Sequence, residues 1–486
     1  MKKIAVFLAA LLLLILFIAA CVPGGEKDGN VSGVISGAAP KADPYTDNVP
    51  IDLKYDGYDF VMWFPNPADH GMNLQIVEEG TIVSAIDDSI WKRNRQIEER
   101  FNITLSGYCA GNSDTQTAQF QIAAQSGDDS MDLAFIAFTF SGLSWISTGY
   151  AMPWNNVKYI DTDRAYWNDS SISNLSIANK YFQLQGDINW PSMMSTQAVF
   201  FNTVVAKDNN VENLYEAVKN NTWTFDKMLN MIKPLNKDLN SDGKFDENDQ
   251  YGATMCYYGA TYEIGIAANY ITVLSDNDGF HLNVNTNKFA DIVQYAYDLI
   301  NGEGRTYCEA YDYAYESKGI PIFFEDRALF HFDGLGAGDN FRNEKSDYGI
   351  IPWPKWDENQ GKYCTTNDQW GLSCSIPTTA SNPSRTGAIT EALCALSGKL
   401  VYPTYYEVVL SVRNTRDEES IAMLDLIFDN VIYDPGIAFG TYSSYIPLYN
   451  LVKTKSTNIA SWAAKYGPKL QTKFDEVFAF VKENFN

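Results

Sequence analysis

The sequence predicts an α/β protein whose first domain is built on a parallel sheet. A short apolar run, Tyr58–Phe64, is typical of a buried strand. Apolar residues then recur with helical spacing over Ile86–Phe101, with charged residues between them. A strand at 103–105, a helix at 115–125 and a strand at 131–138 follow. This alternation is typical of parallel sheets whose strands are joined by crossover helices.

Residues just beyond such strands are the first candidates for ligand binding, because α/β sheets bind ligands outside the carboxyl ends of their strands. Here these are residues 63–66 and 138–143. Further along the chain the same mixture of elements continues, without an internal repeat. Strands are predicted at 197–202, 348–354 and 370–377, and helices at 222–235, 289–300, 400–426 and 460–485.

The N-terminus has the pattern of a secretory signal. Lys2 and Lys3 precede an apolar run from Ile4 to Ala20, and Cys21 follows two alanines. A Cys at this position resembles the lipobox of bacterial lipoproteins, so we expect residues 1–20 to be a lipoprotein signal peptide and Cys21 to carry the lipid. The alternatives are an ordinary signal peptide and an uncleaved membrane anchor. Residues 21–50, rich in Gly, Pro, Ala, Ser and Asp, are predicted to form a flexible tether.

Charge and composition restrict the possible partners. The net charge of −24 argues against nucleic acid, because phosphate binding requires clustered Lys and Arg. Aromatic residues make up 14% of the chain, with 30 Tyr and 11 Trp. Such side chains join a flat apolar face to a polar edge, which suits sugars, although a large protein also uses them simply to fill its core.

The cysteines do not predict a disulfide framework. Six follow Cys21, are scattered and form no CxxC pair. Cys364 and Cys374 would staple a hairpin if two strands connect them. The others are expected to be core thiols, and their redox state stays open.

Residues 238–249 match the template of a calcium-binding loop. Calcium requires six to eight oxygen ligands, and alternate residues of a tight loop converge on one centre. Gly243 stands where the template has its sharp turn, and Phe245 supplies an apolar anchor. The last position is Asp rather than Glu, and no helix follows, so a structural clip is favoured over a switch. The predicted Ca²⁺ ligands are Asp238, Asn240, Asp242, Lys244 (through its carbonyl), Asp246 and Asp249.

Catalytic motifs are absent from the sequence. His70, His281 and His331 are far apart and lack metal-binding spacing, and the glycine-rich run 334–338 lacks the Lys of a phosphate loop. Nothing selects two carboxylates for glycoside hydrolysis among the 60 acidic residues. We therefore expect a protein that is not an enzyme.

In the order and spacing of its segments, the chain resembles family 1 extracellular solute-binding proteins, the lipid-anchored receptors of bacterial carbohydrate ABC importers. The resemblance covers most of the chain after the tether. It is carried by residues 94–105, 128–136, 199–208, 222–229, 238–252, 323–336, 347–363 and 371–393. The long tether and an extended segment after Trp63 depart from the family pattern.

The resemblance implies a two-lobed α/β fold, periplasmic-binding-protein-like (type II), with a ligand cleft between the lobes and a closing motion about a hinge. Lobe 1 would comprise 51–167 plus 353–398, and lobe 2 would comprise 168–352 plus 399–486. Aromatic faces would stack on sugar rings while amides and carboxylates bond hydroxyls. The candidate ligand-binding residues are Trp63, Asn66, Phe138, Phe140, Trp190, Asp333, Asn367, Asp368 and Trp370.

We expect a monomeric, calcium-stabilised lipoprotein at the outer face of the membrane. It would capture a carbohydrate, an oligosaccharide, and deliver it to the permease subunits of an ABC transporter. One alternative is a secreted carbohydrate-active enzyme or lectin-like surface protein. Another is a binding protein that serves a sensor kinase. The sequence does not identify the sugar, and it leaves open a non-sugar solute such as a peptide or a polyol phosphate.

Overall fold

The computed structural model describes residues 43–65, 75–109, 111, 113–137, 142–302, 306–308, 318–343, 346–367, 371–411, 418–439 and 446–485. The predicted signal peptide, Cys21 and residues 21–42 of the predicted tether lie outside these residues. The last part of that tether, 43–50, packs on the body instead of being flexible, because Val49 is 6% exposed and Asp47 pairs with Arg100. Within the described ranges, no helix is both long and apolar enough to cross a membrane.

The strands of the described residues form two five-stranded sheets and a separate hairpin. They are β1 (Tyr58–Phe64), β2 (Ile103–Cys109), β3 (Leu133–Ala137), β4 (Ala151–Met152), β5 (Gln197–Asn202), β6 (Tyr251–Met255), β7 (Val273–Asp276), β8 (Gly279–Leu282), β9 (Tyr307–Cys308), β10 (Ala328–Gly334), β11 (Tyr348–Ile351) and β12 (Leu372–Pro377).

The helices surround these sheets. They are α1 (Ala85–Phe101), α2 (Ser113–Ser126), α3 (Gly142–Ser147), α4 (Asp169–Leu175), α5 (Thr203–Asp208), α6 (Leu214–Lys219), α7 (Phe225–Ile232), α8 (Tyr257–Ala267), α9 (Asn287–Asn301), α10 (Gly319–Phe324), α11 (Pro383–Leu396), α12 (Tyr402–Ser411), α13 (Glu418–Phe428), α14 (Pro435–Ala438), α15 (Pro447–Lys453) and α16 (Ile459–Asn484). Short 3₁₀ turns occupy Glu79–Thr81, Trp154–Asn156, Asp187–Met193, Lys233–Leu235 and Leu335–Asn343, and a π-helical turn occupies Ser397–Val401.

The first sheet has the strand order β2-β1-β3-β12-β4. Strands β1, β2 and β3 are parallel, as predicted from their alternation with helices. Strand β12 is antiparallel to β3, so the sheet is mixed rather than wholly parallel. The reason is its entry point: Leu372 pairs with Ala137, the last residue of β3, and the strand then runs back along it.

The second sheet has the order β11-β5-β10-β6-β9. Strands β6, β9 and β10 are parallel, whereas β5 is antiparallel to both of its neighbours, β10 and β11. All six residues of β5 are buried, which agrees with a central strand covered on both faces.

The start and the end of helix α1 are determined by residues next to it in the sequence. Ser84 accepts a hydrogen bond from Asp87 N while the Asp87 carboxylate accepts from Ser84 N, which closes a capping box. Asn102 ends the helix in a left-handed conformation with φ 51°. The apolar face predicted from the helical spacing is buried.

The helix predicted at 222–235 is shorter than expected. Thr224 caps α7 through a hydrogen bond from Lys227 N, and the α-helix ends at Ile232. Pro234 lies in the 3₁₀ turn that follows. Because Pro lacks an N–H and clashes with the preceding turn, it prevents α-helical continuation.

Three chain segments lie side by side where the two sheets are joined. Gln197 N donates to Thr366 O over 3.1 Å, which pairs the segment that enters β5 with the segment that leads to β12. On the other side Ile432 N donates to Thr365 O over 2.8 Å. We call residues 192–197, 365–367 and 430–433 the connecting segments.

Candidate functional site

The carboxyl ends of β3 and β10 meet at the connecting segments. Leu372 pairs with the last residue of β3, and Gln197 pairs with Gly334, the last residue of β10. Since the segments leading to Leu372 and Gln197 are hydrogen-bonded to each other, the two strand ends are brought to one region. This is the position at which α/β sheets bind ligands.

Asn367 links all three connecting segments. Its Nδ2 donates to Ser192 O over 2.5 Å and to Thr196 Oγ1 over 2.8 Å. Its Oδ1 accepts from Tyr433 Oη over 2.6 Å, and the residue is 3% exposed. The side-chain amide of Asn367, a predicted ligand residue, is therefore hydrogen-bonded to other protein groups and links the three segments.

A buried carboxyl supports the same region from α8. Glu263 Oε2 accepts from Thr366 N over 2.9 Å, and complete burial raises the pKa of this carboxyl well above its ordinary value. A neutral side chain at this place avoids the cost of burying a charge.

A pocket with a cavity volume of about 70 Å³ opens beside Asn367. The walls combine aromatic rings with amide, hydroxyl and carboxylate groups, and contain no Lys, Arg or His. They are formed by Ala165, Tyr166, Trp167, Asn168, Gln185, Gly186, Asp187, Asn189, Ser192, Met193, Thr196, Asn367, Tyr402, Phe428, Val431 and Tyr433. Such a lining suits an uncharged molecule with both apolar faces and hydroxyl groups. We call it the connecting pocket.

Glu391, on α11, orients two aromatic residues of the connecting pocket. Its Oε1 accepts from Tyr166 Oη over 2.5 Å, and its Oε2 accepts from Trp167 Nε1 over 2.9 Å. Burial raises the pKa of Glu391 to about 7, although these donors act in the opposite direction. The carboxyl therefore titrates near neutral pH while fixing both rings.

Gln185 brings an unused donor to the pocket wall. The residue is 2% exposed, and its Nε2 has no hydrogen-bond partner among the described residues. A buried donor without a partner costs about 1–3 kcal/mol. An oxygen acceptor on a bound molecule would remove that cost.

Trp63 and Trp190 lie in apolar cores. Trp63 is 8% exposed, and its ring centroid is 4.6 Å from that of Tyr108. Trp190 is 3% exposed and packs against Tyr405. Both rings thus contact protein, and a contact with ligand remains a prediction.

Asp333 lies at the carboxyl end of β10 with 27% of its side chain exposed. Its Oδ1 accepts from Gly334 N over 2.7 Å, and its Oδ2 is 3.5 Å from His331 Nε2. The ring of His331 is fully buried, and its Nδ1 lies 2.8 Å from Thr254 Oγ1. Of the predicted ligand residues that the structure describes, Asp333 has the most accessible polar group.

The remaining predicted ligand residues, Asn66, Phe138, Phe140, Asp368 and Trp370, lie outside the described residues. The sequence interpretation missed a group of three tyrosines near the end of β6. Tyr257 follows this strand almost directly and donates its hydroxyl hydrogen to Tyr449 O over 3.3 Å. The ring of Tyr449 also stacks on Tyr262 at 5.8 Å. A signal was present, because Cys256 and Tyr257 come immediately after an apolar strand.

The loop at 238–249 has the turn that its sequence predicts. Gly243 has a φ of 78°, and a Cβ added there would meet no atom within 4 Å. Asp238 accepts from Ser241 N and Gly243 N, while Asp249 accepts from Leu239 N and Asp246 N. The donor set consists of oxygens, which suits calcium. Among the described residues, however, no three His, Cys, Asp or Glu side chains are grouped to hold a metal ion.

This loop lies at the amino end of β6, away from the region where the strand ends meet. Lys237 and Gln250 close its base by exchanging two backbone hydrogen bonds of 3.0 Å. Arg327 Nη1 donates to the carbonyls of Glu247 and Asp249, which ties the loop to the start of β10.

The structure has no disulfide between Cys364 and Cys374, the pair that would staple a hairpin if two strands connected them. Cys109, Cys256, Cys308 and Cys394 form no disulfide with a described residue either. Cys374 Sγ accepts from Asn189 Nδ2 over 3.4 Å, whereas the Cys364 thiol lies 3.6 Å from Asn269 Oδ1. Burial raises the pKa of each of these two thiols to about 12.

No protein-family model matches this chain, and no curated protein sequence does. Solved structures do match. The cyclo/maltodextrin-binding protein in complex with maltotetraose has a TM-score of 0.55 at 12% identity, over 89% of this chain and 98% of that one. The galacto-N-biose/lacto-N-biose I-binding protein of an ABC transporter from Bifidobacterium longum, in complex with lacto-N-biose, has a TM-score of 0.56 at 11% identity, over 88% and 99%. The GacH receptor of Streptomyces glaucescens, solved unliganded and with acarbose, has a TM-score of 0.53 at 13% identity, over 86% and 99%.

This chain has the fold of the sugar-binding ABC-transporter solute-binding proteins. The match extends over nearly the whole length of each of these structures. The predicted fold class, a two-lobed periplasmic-binding-protein-like α/β fold, is therefore confirmed. The residue boundaries of the two lobes stay a prediction.

Proposed function

We propose that this solute-binding-protein fold captures a carbohydrate, an oligosaccharide, between its lobes and delivers it to an ABC permease. The observation that carries the proposal is the lining of the connecting pocket, where Trp167 and Tyr166 stand beside amides and Asp187 without a basic side chain. Rings cover the apolar faces of sugars, and amides and carboxylates bond their hydroxyls. The three structures of the same fold were solved with maltotetraose, lacto-N-biose and acarbose, which supports a carbohydrate as ligand.

In this proposal the protein is a binding protein and not an enzyme. It acts as a monomer at the outer face of the cell membrane, held there by lipid on Cys21 through residues 21–42 of the tether. Its lobes are 51–167 plus 353–398 and 168–352 plus 399–486. The basic and apolar N-terminal run ending at Cys21 supports the anchored location.

We further propose that the loop 238–249 binds Ca²⁺ as a structural clip. Asp238, Asn240, Asp242, Asp246 and Asp249 would supply side-chain oxygens, and Lys244 its carbonyl. The oxygen-only donor set and the left-handed Gly243 support this role. Binding requires the carboxylates to turn from the loop amides toward one centre.

The proposed function is tested by a thermal-shift screen of the chain from residue 21 onward, with Cys21→Ser, against oligosaccharides that include maltotetraose and lacto-N-biose. A ligand at 100 times its dissociation constant stabilises the folded state by about 2.7 kcal/mol. We expect a selective rise in melting temperature with one glycan, recovered chemically unchanged. A cleaved glycan would indicate an enzyme, and a flat panel of glycans would contradict the carbohydrate proposal.

A further inference from the structure

The end of the chain has an unusual charge for this protein. Residues 446–474 contain five Lys and no Asp or Glu, whereas the whole chain has a net charge of −24. All of these residues lie in the described part of the chain, over α15, the following turn and the first half of α16.

The lysines of α16 form one line on the surface. Lys465, Lys469 and Lys473 are spaced four residues apart and are exposed, so they follow one side of the helix. Lys455, in the turn before α16, is also exposed. The opposite side of α16, which includes Leu470 and Phe474, is buried and holds the helix on the body. We call Lys455, Lys465, Lys469 and Lys473 the lysine face.

Aromatic rings accompany these charges. Lys465 Nζ lies 4.7 Å from the centroid of the half-buried Tyr466 ring. The Tyr466 ring in turn is 5.9 Å from that of Trp462, which is 3% exposed and belongs to the core, so Tyr466 is the aromatic residue that reaches the surface here. Lysines beside a surface Tyr are typical of faces that rest in the headgroup layer of a membrane.

Acidic groups border the lysine face. Asp475 and Glu476 follow it on α16, Asp298 lies on α9, which packs against α15, and the exposed Asp276 and Asp278 lie on the β7–β8 hairpin, of which β8 packs against α16. The many carboxylates elsewhere on the protein act over longer distances. Because salt screens charges beyond about 8 Å at physiological ionic strength, an anionic surface that approaches α16 experiences mainly the local lysines.

We propose that the lysine face docks the protein onto an anionic phospholipid surface and so determines which side of the body faces the membrane. The tether alone does not determine this, because residues 21–42 can span roughly 70 Å when extended. The lysine face adds an electrostatic contact to the lipid anchor, and two such signals together give stable membrane association. The inference rests on the proposed lipid anchor but not on the sugar, and none of the four lysines lines the connecting pocket.

The test uses the chain from residue 21 onward with Cys21→Ser, so that no lipid chain contributes. Cosedimentation is measured with vesicles of phosphatidylcholine alone and of phosphatidylcholine mixed with phosphatidylglycerol. We expect at least tenfold stronger binding to the mixed vesicles at 50 mM salt, which 500 mM salt abolishes. The combined variant K455Q/K465Q/K469Q/K473Q is expected to lose this preference.

A matched control replaces four other exposed lysines, as K92Q/K207Q/K233Q/K362Q, and changes the net charge by the same amount. It should keep the preference for phosphatidylglycerol. Melting temperatures establish that both variants fold. Equal binding to the two kinds of vesicle, or an equal loss in both variants, would overturn the proposal.

Discussion

The hydroxyl of Tyr433 donates to Oδ1 of Asn367 over 2.6 Å, and this side-chain bond adds to the backbone bonds between the last connecting segment and residue 365. Asn367 already donates to Ser192 O and Thr196 Oγ1. One buried amide thus joins chain segments that come from three widely separated parts of the sequence. A closing motion of the two lobes, which the fold leads us to expect, would have to be accommodated at these segments.

Removing this bond should destabilise the protein. Tyr433→Phe leaves Oδ1 of Asn367 buried without its tyrosine donor, and we expect the free energy of unfolding to fall by about 1–3 kcal/mol. Urea denaturation measures it. Tyr108→Phe is the control, because Tyr108 is 47% exposed and its hydroxyl should contribute less than about 0.5 kcal/mol. Equal effects in the two variants would show that the Asn367 bond contributes nothing.

The carboxyl of Glu391 should make stability depend on pH. Its pKa is raised from 4.5 to about 7 in the folded protein, so its stabilising contribution is complete below about 4.5 and disappears as pH rises through 7. The difference corresponds to about 3 kcal/mol. Glu391→Gln, which does not titrate, should show a smaller decrease in unfolding free energy between pH 5 and pH 8.

Glu263 and Asp434, whose pKa values are also raised by burial, contribute to the same trend in both proteins. The test therefore compares how the unfolding free energy, measured by urea denaturation, changes with pH in the unaltered chain and in Glu391→Gln. Parallel profiles for Glu391→Gln and the unaltered chain would contradict this assignment.

Replacing Gln185 should preserve the stability of the protein without ligand but weaken glycan binding. Gln185→Leu removes a buried donor that has no partner among the described residues, so unfolding free energy without ligand should not decrease. Affinity for the glycan found in the thermal-shift screen should fall at least tenfold, measured by calorimetric titration. Gln183→Leu, which also removes an unpaired buried amide but lies outside the pocket walls, is the matched control and should keep affinity.

Substitutions of Trp63 and Asp333 should distinguish a residue that stabilises the core from one that contacts the ligand. Trp63→Ala removes a buried ring and is expected to cost about 3–5 kcal/mol of stability without any ligand. Asp333→Asn is nearly isosteric and partly exposed, so stability should change by about 0.5 kcal/mol or less, while glycan affinity decreases. Denaturation and titration of both variants check this. An Asp333→Asn variant with unaltered affinity would remove Asp333 from the site.

Chelation of calcium should lower the melting temperature and leave glycan binding intact, because the loop 238–249 lies at the amino end of β6. A double variant, Asp238→Asn with Asp242→Asn, should melt at the same temperature with calcium or with chelator. Asp208→Asn, an exposed carboxylate outside the loop, should respond as the unaltered chain does. A melting temperature insensitive to chelation in the unaltered chain would exclude an occupied site.

Much of the fold could be predicted because its signals are local. The spacing of Ile86, Ile90, Ile97 and Phe101 predicted α1, and its cap and end are set by Ser84 and Asn102. The run 197–202 predicted β5 with its observed bounds. The limits of α7 were missed where Pro234 overrides a continuous apolar period.

The site was harder to predict. Position at a strand end selected Asp333, whose carboxylate is accessible, but the same reasoning selected Trp63, whose ring is covered by Tyr108 and its neighbours. It also passed over Tyr257 and Tyr449, which meet across 192 residues of sequence. Composition identifies residue types suited to sugars without showing which of them face open space.

By itself, the sequence determined the helices and strands, the anionic character of the chain and the tight turn at Gly243, because these depend on neighbours within a few residues. Only the tertiary structure decided that β12 runs antiparallel to β3, that Asn367 is a link between segments, and that Tyr166 and Trp167 share one carboxyl, Glu391. The physical reason is distance along the chain. Asn367 and Ser192 are 175 residues apart, and no local pattern specifies which buried donor meets which acceptor once the chain has packed.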